Sequence, residues 1–329
     1  MVLSEFLDKW NDRSETLLVH TSGSTGKPKP IQVEKTRMEE SARITCNFLG
    51  LHAGDTALLC LPLDYIAGKM MVVRALTCGL KLIEVSPSSH PLACLVGKGR
   101  NIDFAAMVPM QVYNSLQMPE ERRLLLTIRH LIIGGGAIDD AMEQQLRTFP
   151  NAVWSTYGMT ETLSHVALRR LNGEEASLWY TPFESVRVGL NEDNCLVIDA
   201  PRVCNAVLTT NDIAEMAEDG RRFRIMGRKD NVIDSGGIKI QAEEVERLLC
   251  PYVLKPYLIT KRHDGELGEA VVLLVQSTDV EQVREVCRRV LPKYWQPRCI
   301  LSVSAIPMTQ TGKPDRARAE RIASRGKEQ

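Results

Sequence analysis

The sequence predicts an α/β protein: a doubly wound, largely parallel sheet carrying a β-rich subdomain, followed by a small α+β C-terminal domain. Three observations carry that prediction. Apolar runs of strand length alternate with helical patterns from the start to about residue 160. From about His165 the pattern changes to short strands and turns, and beyond Asp230 helices and strands recur in a compact stretch with a basic end.

Each element has its own signal. Met38, Ala42, Cys46 and Leu49 recur at helical spacing before Gly50, and Thr56–Leu61 reads as a buried strand. Ile66–Cys78 is a second helix, ended by Gly79. Strands follow at Lys81–Val85, Phe104–Val108, Leu131–Ile133 and Val153–Thr156, with helices between them. Ligands in such sheets sit beyond the carboxyl ends of the strands. Gly134-Gly135-Gly136 follows one strand there and Tyr157-Gly158 another. Short strands are expected at Cys195–Asp199 and Ala206–Thr209, with a hairpin around Glu218-Asp219-Gly220. The last part reads as a helix at Ala242–Leu249, strands at Tyr257–Thr260 and Val271–Gln276, a helix at Val280–Leu291, a strand at Cys299–Val303 and a basic tail, disordered from Arg325. The boundary between Lys229 and Asp230 gives domains of residues 1–229 and 230–329.

Composition excludes several classes. The 329 residues, 44% hydrophobic, suit a two-domain soluble enzyme. Lys plus Arg and Asp plus Glu balance at 41 each, so no global field points to nucleic acid or an anionic membrane. The charged N-terminus lacks a signal-peptide core, and no apolar run approaches the roughly 20 residues of a membrane span. Nine cysteines without a Cys-x-x-Cys pair read as reduced thiols, and the expected location is the cytoplasm.

The chemistry concentrates in His20-Thr21-Ser22-Gly23-Ser24-Thr25-Gly26-Lys27-Pro28-Lys29-Pro30, after the apolar Leu17-Leu18-Val19. Glycines permit close backbone approach, hydroxyls donate and lysines neutralise oxyanions, so the run suits phosphate. Pro28 excludes a Walker A loop, and on composition alone a solvated Ser/Gly/Lys loop is the competing reading. Thr21 to Lys29 match, at every defined position, the Thr-Ser-Gly-Ser/Thr-Thr-Gly-x-Pro-Lys signature of the adenylate-forming enzymes. That family includes acyl-CoA synthetases, adenylation domains of peptide synthetases and firefly luciferase. Tyr157-Gly158-Met159-Thr160-Glu161, Gly227-Arg228-Lys229-Asp230 and Thr311-Gly312-Lys313 resemble three further family motifs, in the family's order.

The resemblance implies attack of a carboxylate on the α-phosphate of ATP, giving an acyl adenylate and pyrophosphate. It implies that Thr21, Ser22, Gly23, Ser24, Thr25, Gly26 and Lys29 hold phosphates, that Thr160 contacts the α-phosphate, and that Glu161 binds Mg²⁺. Adenine would lie between the Gly134 to Ala137 backbone, including Gly135 and Gly136, and the Tyr157 ring beside Gly158. Asp212 would hold the ribose with Arg228. Lys313 would stabilise reacting charge, Asp230 would be the hinge of a mobile C-terminal domain, and Gly236 and Gly237 would flank the CoA tunnel. Each has a plainer alternative: a helix cap for Thr160-Glu161, an Asx turn for Asp212, a surface ion pair for Arg228 and one more tail lysine for Lys313.

Leu61 to Gly68 and Met159 to His165 also resemble short forms of o-succinylbenzoate–CoA ligases of menaquinone biosynthesis. Tyr65 would then lie near the carboxylate. An acid with a second carboxylate needs a cation, for which Lys69 and Arg74 are candidates, against a solvated helix face. His20 and Pro30 depart from the signature's usual neighbours. The phosphate loop begins so early that the family's first subdomain is expected to be missing, and a dimer partner could close the acyl pocket. Two alternatives stay open: an enzyme loading a carrier-protein thiol, and a non-catalytic nucleotide- or acyl-binding module.

Overall fold

The computed structural model describes residues 1–20, 29–309 and 313–326. Helix α1 (Leu3–Asn11) precedes strands β1 (Thr16–His20) and β2 (Pro30–Glu34). The two strands pair antiparallel with His20 opposite Pro30, so the ends of the signature run are brought side by side.

The alternation that follows is α2 (Lys35–Leu49), β3 (Thr56–Leu59), α3 (Ile66–Cys78), β4 (Lys81–Glu84), β5 (Phe104–Met107), α4 (Pro109–Gln117), α5 (Pro119–Thr127), β6 (His130–Ile133), α6 (Asp140–Leu146) and β7 (Ala152–Gly158). Strands β8 (His165–Arg170) and β9 (Thr181–Pro182) complete a seven-stranded sheet ordered β4-β3-β5-β6-β7-β8-β9. The strands β4 to β7 run parallel, and β8 and β9 add antiparallel. Every residue of β5 is buried, the mark of a parallel strand covered on both faces. Gly50 and Gly79 end α2 and α3 at φ +62° and +69°, where a side chain would strain the backbone.

A four-stranded sheet follows in chain order: β10 (Arg187–Leu190), β11 (Cys195–Asp199), β12 (Leu208–Met216) and β13 (Phe223–Arg228). The strand expected at Ala206–Thr209 begins at Leu208 and runs on to Met216. Its polar residues alternate with buried Thr210 and Ala214, as they do in a sheet with one wet face.

The C-terminal elements are β14 (Val232–Ser235), β15 (Ile238–Gln241), α7 (Ala242–Leu249), β16 (Tyr257–Asp264), β17 (Gly268–Val275), α8 (Val280–Val290), β18 (Cys299–Ser302) and α9 (Arg316–Arg325). Strand β17 pairs antiparallel with β14 and β16 and parallel with β18. Its alternate residues face opposite ways: Val271, Leu273 and Val275 join a core with α7 and α8, while Val272 and Leu274 join Ala319 and Ala323 of α9. The stretch expected as a basic tail disordered from Arg325 is therefore a helix as far as Arg325. Two alanines one turn apart seat it on the sheet, and its arginines stay outside or pair, as Arg316 does with Glu246 at 2.9 Å.

The chain forms two compact units. One comprises Met1–Gly189, Val197–Leu208 and Met216–Arg224; the other comprises Leu190–Leu196, Thr209–Glu215 and Ile225–Gln329. Among the described residues no helix is long and apolar enough to cross a membrane.

Candidate active site

In the first unit, candidate residues collect where β6 and β7 end. Gly134 is demanded by packing, because a Cβ there would lie 2.3 Å from Thr156 Oγ1, and Gly135 is demanded by its φ of +81°. Gly136 has neither reason: a Cβ would meet the Pro109 ring at ordinary distances, 3.5 Å from Cγ and 3.7 Å from Cδ. Gly135, Gly136 and Ala137 are all exposed. The Tyr157 ring stands edge-on to Phe223, with centroids 5.1 Å apart, and tilts against Tyr180. At Gly158 a Cβ would sit 2.2 Å from the Ser164 carbonyl, so only glycine lets the next turn fold back on the strand.

That turn is a 3₁₀ segment over Thr160–Thr162. The Thr162 hydroxyl receives the Met159 N–H at 3.1 Å and lies 3.0 Å from the Met159 carbonyl and 2.8 Å from that of Ser164. Leu163 is held at φ +65°, a region costly for leucine that its burial over-determines. The result separates neighbours: Thr160 is buried, Glu161 is exposed, Ser164 is half-buried and His165 enters the interior.

Helix α3 carries the candidate cations, preceded by half-buried Tyr65. A solvated face is set aside, because Lys69 and Arg74 are each only 2% exposed. Lys69 Nζ donates to the Asp64 carbonyl at 3.0 Å, and burial holds its pKa below the usual lysine range. Arg74 donates through Nη2 to Ser164 Oγ at 2.7 Å, rests Nη1 3.8 Å from the Met71 sulfur, and lies 5.9 Å over the Phe104 ring. Its Nε is buried without a partner, and no carboxylate among the described residues pairs with it. Burial pulls its pKa down to about 10. Ser164 and His165, which line up with this guanidinium, lie in the Met159 to His165 run that carries the resemblance but have no role assigned from the sequence, and Thr45 is not singled out there.

The second unit gathers the remaining candidates. Arg228 spans two carboxylates, donating Nη1 to Asp212 at 2.8 Å and Nη2 to Asp230 at 3.0 Å. Asn211 Nδ2 also reaches Asp230, at 3.2 Å. Lys313 N donates to Thr309 Oγ1 at 3.1 Å, and its carbonyl accepts the Thr309 N–H at 2.7 Å. Burial, then the Arg228 charge, lowers the Lys313 pKa, while Asp212 pulls it back up. Gly236 and Gly237, at φ +60° and +83°, form the two-residue turn of the β14–β15 hairpin, with Ser235 opposite Ile238. They thus have a backbone reason independent of any ligand.

Thr21, Ser22, Gly23, Ser24, Thr25 and Gly26 lie outside the described residues; Lys29 is exposed just before β2.

The model of the AMP-binding enzyme family matches residues 7–191, and the chain belongs to that family. It is 34% identical to the acyl-CoA synthetase (AMP-forming)/AMP-acid ligase II-like protein of Dyadobacter fermentans DSM 18053, whose crystal structure it matches over 97% of this chain and 92% of that one, with a TM-score of 0.65. It is 24% identical to a 2-succinylbenzoate–CoA ligase of Geobacillus sp. (strain WCH70), over 94% of this chain and 69% of the relative. The fold is shared with the O-succinylbenzoate coenzyme A synthetase of Bacillus subtilis solved with ATP and magnesium ion, at a TM-score of 0.76 and 21% identity over 91% of this chain and 68% of that one.

Proposed function

We propose that the protein is an ATP-dependent acid–CoA ligase. A carboxylate attacks the α-phosphate of ATP to give an acyl adenylate and pyrophosphate, and the thiol of CoA then takes the acyl group. Both reactants of the first step are anions, so the protein's task is to screen charge and hold them in line. Thr160 and the signature run would hold phosphates, and Tyr157 and Gly136 would receive the adenine. Asp212, steered by Arg228, would hold the ribose. Lys313 would stabilise charge on the reacting groups. A bound Mg²⁺ would neutralise phosphate charge. Exposed Glu161 suits that ion, which commonly takes one or two carboxylates and completes its shell with phosphate oxygens and water. All nine cysteines are free thiols, which suits the cytoplasm, where ATP and CoA are at hand.

The acid we infer carries a second carboxylate, with o-succinylbenzoate the first choice. One observation carries this: Arg74 is a buried guanidinium with no carboxylate beside it among the described residues and an orphaned Nε. A buried charge is costly unless it is paired, and an acidic substrate would supply the pair. The names of several ligases that this chain resembles over most of its length support the same acid. The test is to incubate the protein with ATP, Mg²⁺ and a panel of acids, with and without CoA, and read products by mass spectrometry. O-succinylbenzoate should yield AMP and its CoA thioester ahead of acetate, benzoate and long-chain fatty acids. Equal turnover of a fatty acid would overturn the choice of acid. An adenylate that forms but never reaches CoA would redirect the reading to a carrier-protein thiol.

A further inference from the structure

Resting on that reading of Arg74, we propose that His165, with its proton on Nε2, is a positioning residue for the acid: it fixes the Ser164 hydroxyl that orients the Arg74 guanidinium.

Four hydrogen bonds tie α2, α3 and the start of β8 into one line. Thr45 Oγ1 donates to the Ser41 carbonyl at 3.1 Å and lies 3.2 Å from His165 Nε2. On the other side of the ring, Nδ1 is 3.2 Å from Ser164 Oγ, which accepts from Arg74 Nη2 at 2.7 Å. The directions follow from counting protons. Thr45 has one hydroxyl hydrogen and spends it on Ser41, so toward His165 it can only accept. Nε2 must therefore donate, and in the neutral ring Nδ1 must then accept. Ser164 in turn donates to Nδ1 and offers its lone pairs to Arg74.

The opposite tautomer would set two lone pairs against each other at Thr45. It would also make Ser164 accept from both sides, with its own hydrogen unused among the described residues. A protonated ring would bring a second cation beside Arg74 in the interior. Burial first and Arg74 second accordingly hold the His165 pKa well below its ordinary value.

The consequence falls on the guanidinium. The Met71 thioether sulfur and the Phe104 ring beside it restrain it weakly in direction. Among the described residues Ser164 is its one oxygen partner, and a serine hydroxyl rotates to suit its surroundings unless something else takes its hydrogen. His165 takes that hydrogen. The Ser164 lone pairs then stay turned toward Nη2, and the remaining guanidinium donors keep one orientation for an acid.

The test uses the full chain with ATP, Mg²⁺, CoA and o-succinylbenzoate. In His165→Leu and Ser164→Ala the Michaelis constant for the acid should rise about tenfold or more, with that for ATP unchanged and kcat falling less. His165→Asn, whose Oδ1 takes the place of Nδ1 as acceptor, should recover most of the loss. In the wild-type protein ¹⁵N resonances should report a neutral His165 with the proton on Nε2. Acid constants within about twofold of wild type in both variants, or a proton on Nδ1, would overturn the relay. So would equal rises for acid and ATP, the mark of a merely structural role. Arg74→Gln separates the two claims. If it raises the acid constant while the His165 and Ser164 variants do not, the relay alone fails; if it leaves the constant unchanged, the reading of Arg74 fails. Should His165→Leu not fold, Ser164→Ala and the resonances still decide.

Discussion

Arg74 is a buried cation and Lys313 a half-buried one, and their loss of water gives them different kinds of work. Arg74 stays charged even at a pKa of about 10, so its cost is best met by an anion brought to it. Lys313 is held below the usual lysine range by burial and by Arg228, so its ammonium form gives out sooner as pH rises. If Lys313 acts only in adenylation, Lys313→Ala should slow acyl-adenylate formation by on the order of a hundredfold or more, as expected for losing one preorganised charge at a transition state. Conversion of a supplied acyl adenylate to the thioester should stay near normal, and rapid-quench assay of the two half-reactions reads both. His165 bears on stability. An unfolded histidine takes its proton near 6.5, whereas folded His165 resists protonation to lower pH. Below 6.5 the unfolded chain thus binds more protons, so the stability this group contributes is whole above that value and is lost as pH falls toward the folded pKa. Thermal midpoints should drop on acidification from about pH 7 to about pH 5, and His165→Leu should flatten that slope.

The turn after β7 is where one residue's size matters most. Gly158→Ala places a methyl 2.2 Å from the Ser164 carbonyl, a backbone atom that cannot swing aside. It should cost about 1–3 kcal/mol in denaturant unfolding and lower adenylation, because Thr160 and Ser164 move with the turn. Much at this scale was legible in the sequence. Helices α2 and α3 were readable to their ends, since apolar spacing and a glycine cap agree at Gly50 and Gly79. Helix α9 was not, because the face it buries is made of Ala319 and Ala323, too slight a stripe among arginines to register as periodicity. The β14–β15 hairpin was hidden for a different reason: Gly236-Gly237 was read for a ligand when a two-residue turn already requires both glycines. The motifs named most of the candidate site, but the Thr45–His165–Ser164–Arg74 line was out of reach. It joins residues 90 and 120 positions apart through side-chain directions that no spacing encodes.

At the scale of the whole molecule, the candidate residues are divided between two compact units, Thr160 and Glu161 in one and Asp212, Arg228, Asp230 and Lys313 in the other. An enzyme that runs two half-reactions can turn its C-terminal part on a hinge, and we place that hinge at Asp230, within the second unit. Asp230→Pro restricts that backbone, so adenylation should stay largely intact while thioester formation falls. Loss of both half-reactions together, or of neither, would remove Asp230 from that role.

The most direct measurement compares o-succinylbenzoate with the same keto acid lacking its second carboxylate, as kcat/KM for CoA-thioester formation in the wild-type protein and in Arg74→Gln. The wild-type protein should prefer the dicarboxylic acid by about ten- to a hundredfold, the worth of one charge-assisted hydrogen-bonded pair, and Arg74→Gln should erase the preference while leaving the monoacid nearly unchanged. Equal rates for the two acids in the wild-type protein, or a preference that survives in Arg74→Gln, would contradict the account.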